Sequence, residues 1–99
     1  MTVCFLGLSF KANVGDVRNS PALDIVRNCM HLDVKILVVE PYLKELPMSS
    51  SNLKKSVFDH AVMSADLVVL LVDHKEFCET SAKTLLRNHK CLIDTRGVV

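Results

Sequence analysis

Residues 3–26 read VCFLGLSFKANVGDVRNSPALDIV and combine an apolar run, a long polar loop and the start of a helix. Residues 3–10 are continuously apolar rather than alternating, which predicts a strand covered on both faces of a sheet. Ser20 and Pro21 suit the N-cap and the first position of a helix, and the apolar residues that follow share one helical face until about His31. The stretch therefore predicts a strand, a loop and a crossover helix, which is the building unit of a parallel sheet.

Three further runs rich in Val, Leu and Ile, at residues 34–40, 66–72 and 90–94, predict strands of the same kind. Helical patterns lie between them, one running from Leu53 to Ala65 and one over residues 76–88. Residues 41–52 indicate a surface loop. We therefore predict an α/β fold, a small three-layer α/β/α doubly wound domain whose parallel sheet has about four strands in the order 3-2-1-4.

The composition fits one globular domain. Of the 99 residues, 49% are hydrophobic and 5% aromatic, and the formal net charge is +1. The longest basic run is Lys54-Lys55, so a surface that follows a nucleic-acid backbone is not expected. No apolar run approaches the roughly 20 residues of a membrane-spanning helix, and the first ten residues lack the features of an export signal. We expect a soluble cytoplasmic protein with no nucleic-acid or membrane partner.

The four cysteines and four histidines are dispersed, with no spacing typical of a metal site. Cys4 and Cys91 fall within predicted strands and are expected to be reduced thiols of the core. No residue forms a motif for nucleophilic or acid–base catalysis. We therefore predict neither a metal ligand nor a catalytic residue in this chain.

Two cations follow the first and the last predicted strands, Lys11 and Arg96. In a doubly wound sheet, ligands bind beyond the carboxyl ends of the strands, where the direction of strand addition reverses. In the order 3-2-1-4 these two strands are neighbours, so both cations would converge on one point beside the helix that starts at Pro21. This arrangement predicts a site for an anion such as a phosphate, the alternative being two ordinary solvated loop charges.

Other polar residues near the strand ends have simpler interpretations. Asp16 and Arg18 are predicted to form an ion pair that shapes the loop or faces a neighbouring domain. Glu40 ends the second predicted strand, but the first strand lacks a G-x-G-x-x-G motif, so we interpret Glu40 as an ordinary strand-end carboxylate. His74 has no nucleophile beside it and only the adjacent Asp73 as a carboxylate, so we expect it on a surface loop.

Residues 7–21 contain G-x-x-F-K followed by D-x-R-x-S-P at a helix start. These motifs resemble the beginning of the C-terminal domain of the UDP-glucose/GDP-mannose dehydrogenase family. Residues 72–77, VDHKEF, and 92–97, LIDTRG, are similar to that family's third-strand exit and closing strand. Within the family, the chain is most similar to bacterial UDP-N-acetyl-D-mannosamine dehydrogenases. Ala12 and Asn19 depart from the common pattern, which has proline and an acid there, so the identity of the sugar stays open.

The resemblance implies that residues 1–99 are the UDP-binding C-terminal domain of a larger dehydrogenase, and it assigns Phe10, Lys11 and Arg96 to the substrate. Such an enzyme oxidises C6 of a nucleotide sugar with NAD to give a uronic acid for cell-surface polysaccharide. Its NAD-binding domain and catalytic cysteine would lie upstream, so we expect this chain alone to be inactive. We also expect the parent to be a homo-oligomer. A freestanding nucleotide-binding module is the alternative. A signalling receiver domain is disfavoured because Lys11, not a cluster of acids, follows the first strand.

Overall fold

Five parallel strands form the centre of the computed structural model, which describes residues 1–99. In chain order the elements are β1 (Thr2–Leu6), α1 (Pro21–Cys29), β2 (Lys35–Val39), β3 (Leu53–Lys55), α2 (Phe58–Ser64), β4 (Leu67–Leu70), α3 (Lys75–Cys78), α4 (Thr80–Arg87) and β5 (Leu92–Asp94). The strands lie in the order β3-β2-β1-β4-β5. Every neighbouring pair is parallel, which confirms the predicted α/β class.

The sheet separates two apolar layers. From β1, Val3 and Phe5 pack in the layer that α1 covers, whereas Cys4 and Leu6 pack in the layer covered by α2, α3 and α4. Successive residues of a strand point to opposite faces, so a strand buried on both sides must be apolar at every position. This explains why the strand runs show no alternation.

The sheet has one strand more than we predicted, because Leu53–Lys55 forms an edge strand and not the first turn of a helix. The N–H of Ile36 in β2 donates to the carbonyl of Asn52 at 2.7 Å, immediately before this strand. The backbone groups of Leu53–Lys55 hydrogen-bond to the open edge of β2. This long-range pairing overrides the helical spacing of the apolar residues in that segment. The helix α2 begins only at Phe58.

The positions of the last two predicted strands also differ from our expectation. Residues 66–72 were expected beside the second strand and residues 90–94 beside the first. Instead β4 pairs with β1, with Val69 opposite Phe5, and β5 pairs with β4 at the edge of the sheet. Because β3 occupies the free edge of β2, the chain adds its later strands on the other side of β1. The direction of strand addition therefore reverses between β1 and β4.

Local backbone conformation shortens two predicted elements. The strand predicted over residues 3–10 ends at Leu6 because Gly7 adopts a φ of 96°, in the region that glycine tolerates best. A Cβ at Gly7 would lie 2.5 Å from the Cβ of Val72, so the ends of β1 and β4 approach too closely for a side chain. The helix predicted over residues 76–88 is divided into α3 and α4 because Glu79 is extended, with a ψ of 151°.

All four cysteines are free thiols. Cys4 is buried as predicted, and burial raises the pKa of its thiol to about 12. Cys91 is exposed, so its predicted place in the core is wrong: β5 is shorter than expected and begins two residues later, at Leu92. None of the helices has the length and apolar character needed to cross a bilayer.

Candidate ligand-binding site at the carboxyl ends of the strands

The loops that follow β1 and β5 leave the same edge of the sheet and carry the residues predicted to bind substrate. Phe10 is 51% exposed, and Lys11 and Arg96 are exposed as well. The ion pairs of the structure join Arg18 to Asp16 and His74 to Glu40. Neither Lys11 nor Arg96 is neutralised by a carboxylate, so both cations are available to an anionic ligand.

The two cations do not follow neighbouring strands, because β4 lies between β1 and β5. The prediction that the two cations converge assumed that the first and last strands are neighbours, and that assumption is wrong. Arg96 nevertheless reaches towards the centre of the sheet, since its Nε donates to the carbonyl of Leu71 at 3.0 Å. The N–H of Leu71 donates in turn to the carbonyl of Leu6 at the end of β1, at 2.9 Å. A single residue thus links the Arg96 side chain to the strand that leads to Lys11.

Asp94 fixes the turn from which Arg96 projects. Its Oδ1 accepts hydrogen bonds from the N–H groups of Arg96 at 3.0 Å and Gly97 at 2.8 Å, and its Oδ2 accepts from Val99 at 2.8 Å. Burial raises the pKa of Asp94, but these donors outweigh burial, and the pKa lies below its usual range. The ionised carboxylate therefore orders the backbone on both sides of Arg96.

Asp16 and Arg18 form an ion pair in the loop after β1. The guanidinium donates to both carboxylate oxygens, from Nη2 to Oδ2 at 2.9 Å and from Nε to Oδ1 at 3.1 Å. These hydrogen bonds lower the pKa of Asp16 to about 2. The Arg18 side chain is 86% exposed, and ion pairs in such settings contribute little to stability. Their role in shaping the loop or facing another domain stays a prediction.

Ser20 connects the same loop to α1. Its Oγ accepts from the N–H of Leu23 at 3.2 Å, which confirms the predicted N-cap, and donates to the carbonyl of Leu8 at 2.6 Å. The N–H of Asp24 donates to the Ser20 carbonyl, and Pro21 has no N–H. The helix N-terminus therefore retains few free N–H donors for an anion.

A buried acid and a buried histidine lie beneath the loop, although the sequence predicted neither as buried. Glu40 is 1% exposed and His74 is fully buried, with 2.8 Å between Glu40 Oε1 and His74 Nε2. Burial raises the pKa of Glu40, but the hydrogen bonds from His74 and from backbone N–H groups outweigh burial, so the pKa is lowered. Glu40 is thus no ordinary strand-end carboxylate, and His74 does not lie on a surface loop.

The other ring nitrogen of His74 holds the loop after β1. Nδ1 accepts a hydrogen bond from the N–H of Asn13 at 2.8 Å. It therefore carries no proton, and Nε2 is the protonated nitrogen that donates to Glu40. Asn13 has a φ of 64°, and its side-chain oxygen accepts from the N–H of Lys75 at 2.7 Å. The loops after β1 and β4 are joined at two points.

Comparison with known proteins gives consistent similarities. Residues 4–99 match the model of the UDP binding domain of the UDP-glucose/GDP-mannose dehydrogenase family. An NDP-N-acetyl-D-galactosaminuronic acid dehydrogenase from Ralstonia solanacearum is 45% identical over 96 residues, which cover 96% of this chain and 22% of the relative. A UDP-N-acetyl-D-mannosamine dehydrogenase from Campylobacter jejuni is 43% identical over 84 residues, covering 81% and 21%.

A solved structure shows the same fold. The UDP-N-acetyl-mannosamine dehydrogenase of S. aureus aligns with a TM-score of 0.73 and 32% identity, over 99% of this chain and 22% of that one. The GDP-mannose dehydrogenase of Pseudomonas aeruginosa aligns with a TM-score of 0.71 and 25% identity, over 93% and 24%. The chain therefore spans less than a quarter of the length of each protein to which it is similar.

Proposed function

The chain belongs to the UDP-glucose/GDP-mannose dehydrogenase family, and from this premise we propose that it binds the nucleotide end of a UDP-sugar as the C-terminal domain of an NAD-dependent 6-dehydrogenase. The parent enzyme oxidises the C6 hydroxyl of the sugar to a carboxylate in the cytoplasm and supplies a uronic acid for cell-surface polysaccharide. The two curated relatives described above are named for N-acetylated amino sugars. These names favour a substrate of the UDP-N-acetyl-D-mannosamine type over UDP-glucose.

The observation that carries the proposal is the match to a UDP binding domain over residues 4–99. The site is compatible with that ligand. Lys11 offers a flexible point charge and Arg96 a planar fork for the diphosphate, while the exposed ring of Phe10 offers an aromatic face beside Lys11. We assign these three residues to the substrate, and we assign no catalytic residue to this chain.

The contribution of this domain to the reaction is positional. Contacts to the nucleotide lie far from C6, yet they hold the sugar so that the reacting carbon meets the catalytic groups of the other domain. Binding energy from the diphosphate can thus contribute to kcat as well as to substrate affinity. We propose that the N-terminal NAD-binding domain of the parent closes against this face and that the parent is a homo-oligomer.

The chain is poorly suited to hold NAD itself. In a dinucleotide-binding fold, the N–H groups that follow the first strand bind the pyrophosphate. Here the N–H groups of Leu8 and Ser9 donate to the buried carboxylate of Glu40, at 2.9 and 3.1 Å. These donors are occupied, and the negative charge behind them disfavours a second anion. The cofactor NAD is therefore assigned to the other domain, and the isolated chain is expected to be inactive.

The proposal is tested by calorimetric titration of the 99-residue chain with UDP. Lys11→Ala and Arg96→Ala are each expected to weaken UDP binding about tenfold or more, because a hydrogen bond to a charged group contributes about 1.5–3 kcal/mol. Lys35→Ala is the matched control, since this exposed lysine begins β2 and therefore lies at the amino ends of the strands, opposite the candidate site. Equal affinity in all four proteins would show that UDP does not bind at these cations.

A freestanding nucleotide-binding module would give the same titration. The short span of the chain relative to its relatives favours a domain of a larger enzyme. A G-x-G-x-x-G motif and a cysteine upstream of these residues in the parent gene would support the dehydrogenase, and a gene without them would favour the freestanding module.

A further inference from the structure

We propose that the buried Glu40–His74 pair is a positioning device that sets the conformation of the loop carrying Phe10 and Lys11, and thereby the affinity of the chain for UDP. The inference rests on the proposed function of that loop. Neither residue reaches the solvent, so neither contacts the ligand directly. Both act through the backbone that precedes and follows Lys11.

The placement of polar groups inside the domain is the first argument. The structure buries four polar or charged residues, namely Ser9, Ser20, Glu40 and His74. Two belong to the loop after β1, and the others hydrogen-bond to that loop. Elsewhere the buried residues are apolar. Because burying a polar group is costly unless it is fully paired, a polar interior confined to the base of one loop indicates that the conformation of this loop is specified.

The hydrogen bonds of Glu40 provide the second argument. Its Oε1 accepts from the N–H groups of Leu8 and Ser9 and from Nε2 of His74, and its Oε2 accepts from the N–H of Tyr42 at 3.0 Å. Every partner is a donor, so only an ionised carboxylate satisfies them all. A glutamine at this position would turn an NH2 group towards a donor.

His74 extends the same connection past Lys11. Its Nδ1 accepts from the N–H of Asn13, and its Nε2 also lies 3.2 Å from the Oγ of Ser9. That Oγ donates to the carbonyl of Lys11 at 2.8 Å. Hydrogen bonds therefore hold the backbone at Ser9, Lys11 and Asn13. All of them connect, directly or through the Ser9 hydroxyl, to the imidazole of His74.

Tyr42 closes the remaining side of the loop. Its ring lies 4.7 Å from that of His74 between centroids, and its hydroxyl donates to Glu76 at 2.9 Å. A Cβ added at Gly15 would overlap the carbonyl oxygen of Tyr42. The loop after β1 thus packs between the segments that follow β2 and β4, and the Glu40–His74 pair lies where these segments meet.

The decisive experiment compares UDP affinity by NMR titration in the wild-type chain, Glu40→Gln, His74→Phe and His74→Gln, at a temperature where each is folded. Val62→Ala is the control for lost stability, because Val62 is buried in α2 away from the loop. Glu40→Gln and His74→Phe are expected to bind UDP about tenfold more weakly, since the ligand must then order a loosened loop. The amide of Asn13 is expected to exchange at least about tenfold faster in the same variants.

His74→Gln is the conservative rescue. Its amide oxygen can accept from Asn13 and its NH2 can donate to Glu40, so it is expected to retain most of the UDP affinity that His74→Phe loses. If Glu40→Gln does not fold, the two His74 variants still decide the question. Wild-type affinity in His74→Phe, or an equal loss in Val62→Ala, would overturn the inference.

Lys11→Ala, measured in parallel, separates this inference from the function on which it rests. Weaker binding in Lys11→Ala together with unchanged binding in His74→Phe rejects the positioning role alone. If the wild-type chain binds no UDP, or if Lys11→Ala binds as well as wild type, the proposed function of the loop is wrong and the inference falls with it.

Discussion

Arg18 determines the acidity of Asp16 in the loop after β1. The pKa of Asp16, about 2, lies below its value in an unfolded chain. Its contribution to stability is therefore present above the unfolded pKa and is lost as the pH falls through about 2. We expect Arg18→Ala to raise the Asp16 pKa towards its usual range, because the guanidinium is lost while the backbone N–H of residue 18 still donates to Oδ1. An NMR titration of the side-chain carboxyl carbon measures this, and an unchanged midpoint would contradict the assignment.

Gly7 and Gly97 differ in why an added side chain would be unfavourable, since one effect is backbone strain and the other is steric overlap. Both have positive φ angles, 96° and 70°, but only at Gly7 does the added Cβ overlap a neighbour, Val72. Gly97→Ala is expected to lower the free energy of unfolding by about 1 kcal/mol through backbone strain alone. Gly7→Ala is expected to cost about 1–3 kcal/mol more because of the overlap. Urea unfolding measures both, and equal losses would contradict the close approach of β1 and β4.

The helices differ in how their N-termini are satisfied. Ser20 caps α1 with its side chain, whereas Val57, at the N-cap of α2, is 70% exposed and makes no such bond. Ser20→Ala is expected to destabilise the chain by about 0.5–2 kcal/mol, and Val57→Ser to stabilise it by about 0.5–1 kcal/mol. Thermal unfolding measures both shifts. A Val57→Ser variant less stable than wild type would contradict the cap assignment.

The elements that the sequence predicted well are those whose sequence pattern lies within the element itself. The apolar runs of β1, β2 and β4 and the Ser20-Pro21 start of α1 each lie within one short segment. The edge strand Leu53–Lys55 has no such signal, because three residues show no period and their pairing depends on the distant edge of β2. The helical spacing that continues into α2 therefore hid the strand.

The missing strand also explains why the buried pair escaped prediction. Without β3, the strand at residues 66–72 was placed on the far side of β2, away from the first strand. In the observed order β2 and β4 flank β1, so Glu40 and His74, which leave these two strands, meet under the loop that follows β1. The correct strand order would have placed the two side chains together. Their full burial could not be read from either segment alone.

In the whole molecule, the apolar contacts that stabilise the fold and the residues proposed to bind UDP lie in different parts of the domain. Two apolar layers on the faces of the sheet hold the fold together, whereas the buried polar groups and the available cations gather at the carboxyl edge of the strands. A ligand that binds the folded chain stabilises it in proportion to its affinity and concentration. Saturating UDP is therefore expected to raise the midpoint of thermal unfolding, and to raise it less in Arg96→Ala. An equal rise in both proteins would place UDP elsewhere.

We propose that this domain receives UDP between the exits of β1 and β5 and does not receive NAD. The most direct measurement is a map of amide chemical shifts in the 99-residue chain, recorded during separate additions of UDP and NAD. We predict that UDP shifts the amides around Phe10, Lys11 and Arg96 and that NAD leaves them unchanged. Saturable shifts with NAD, or UDP shifts confined to the amino ends of the strands, would contradict this proposal.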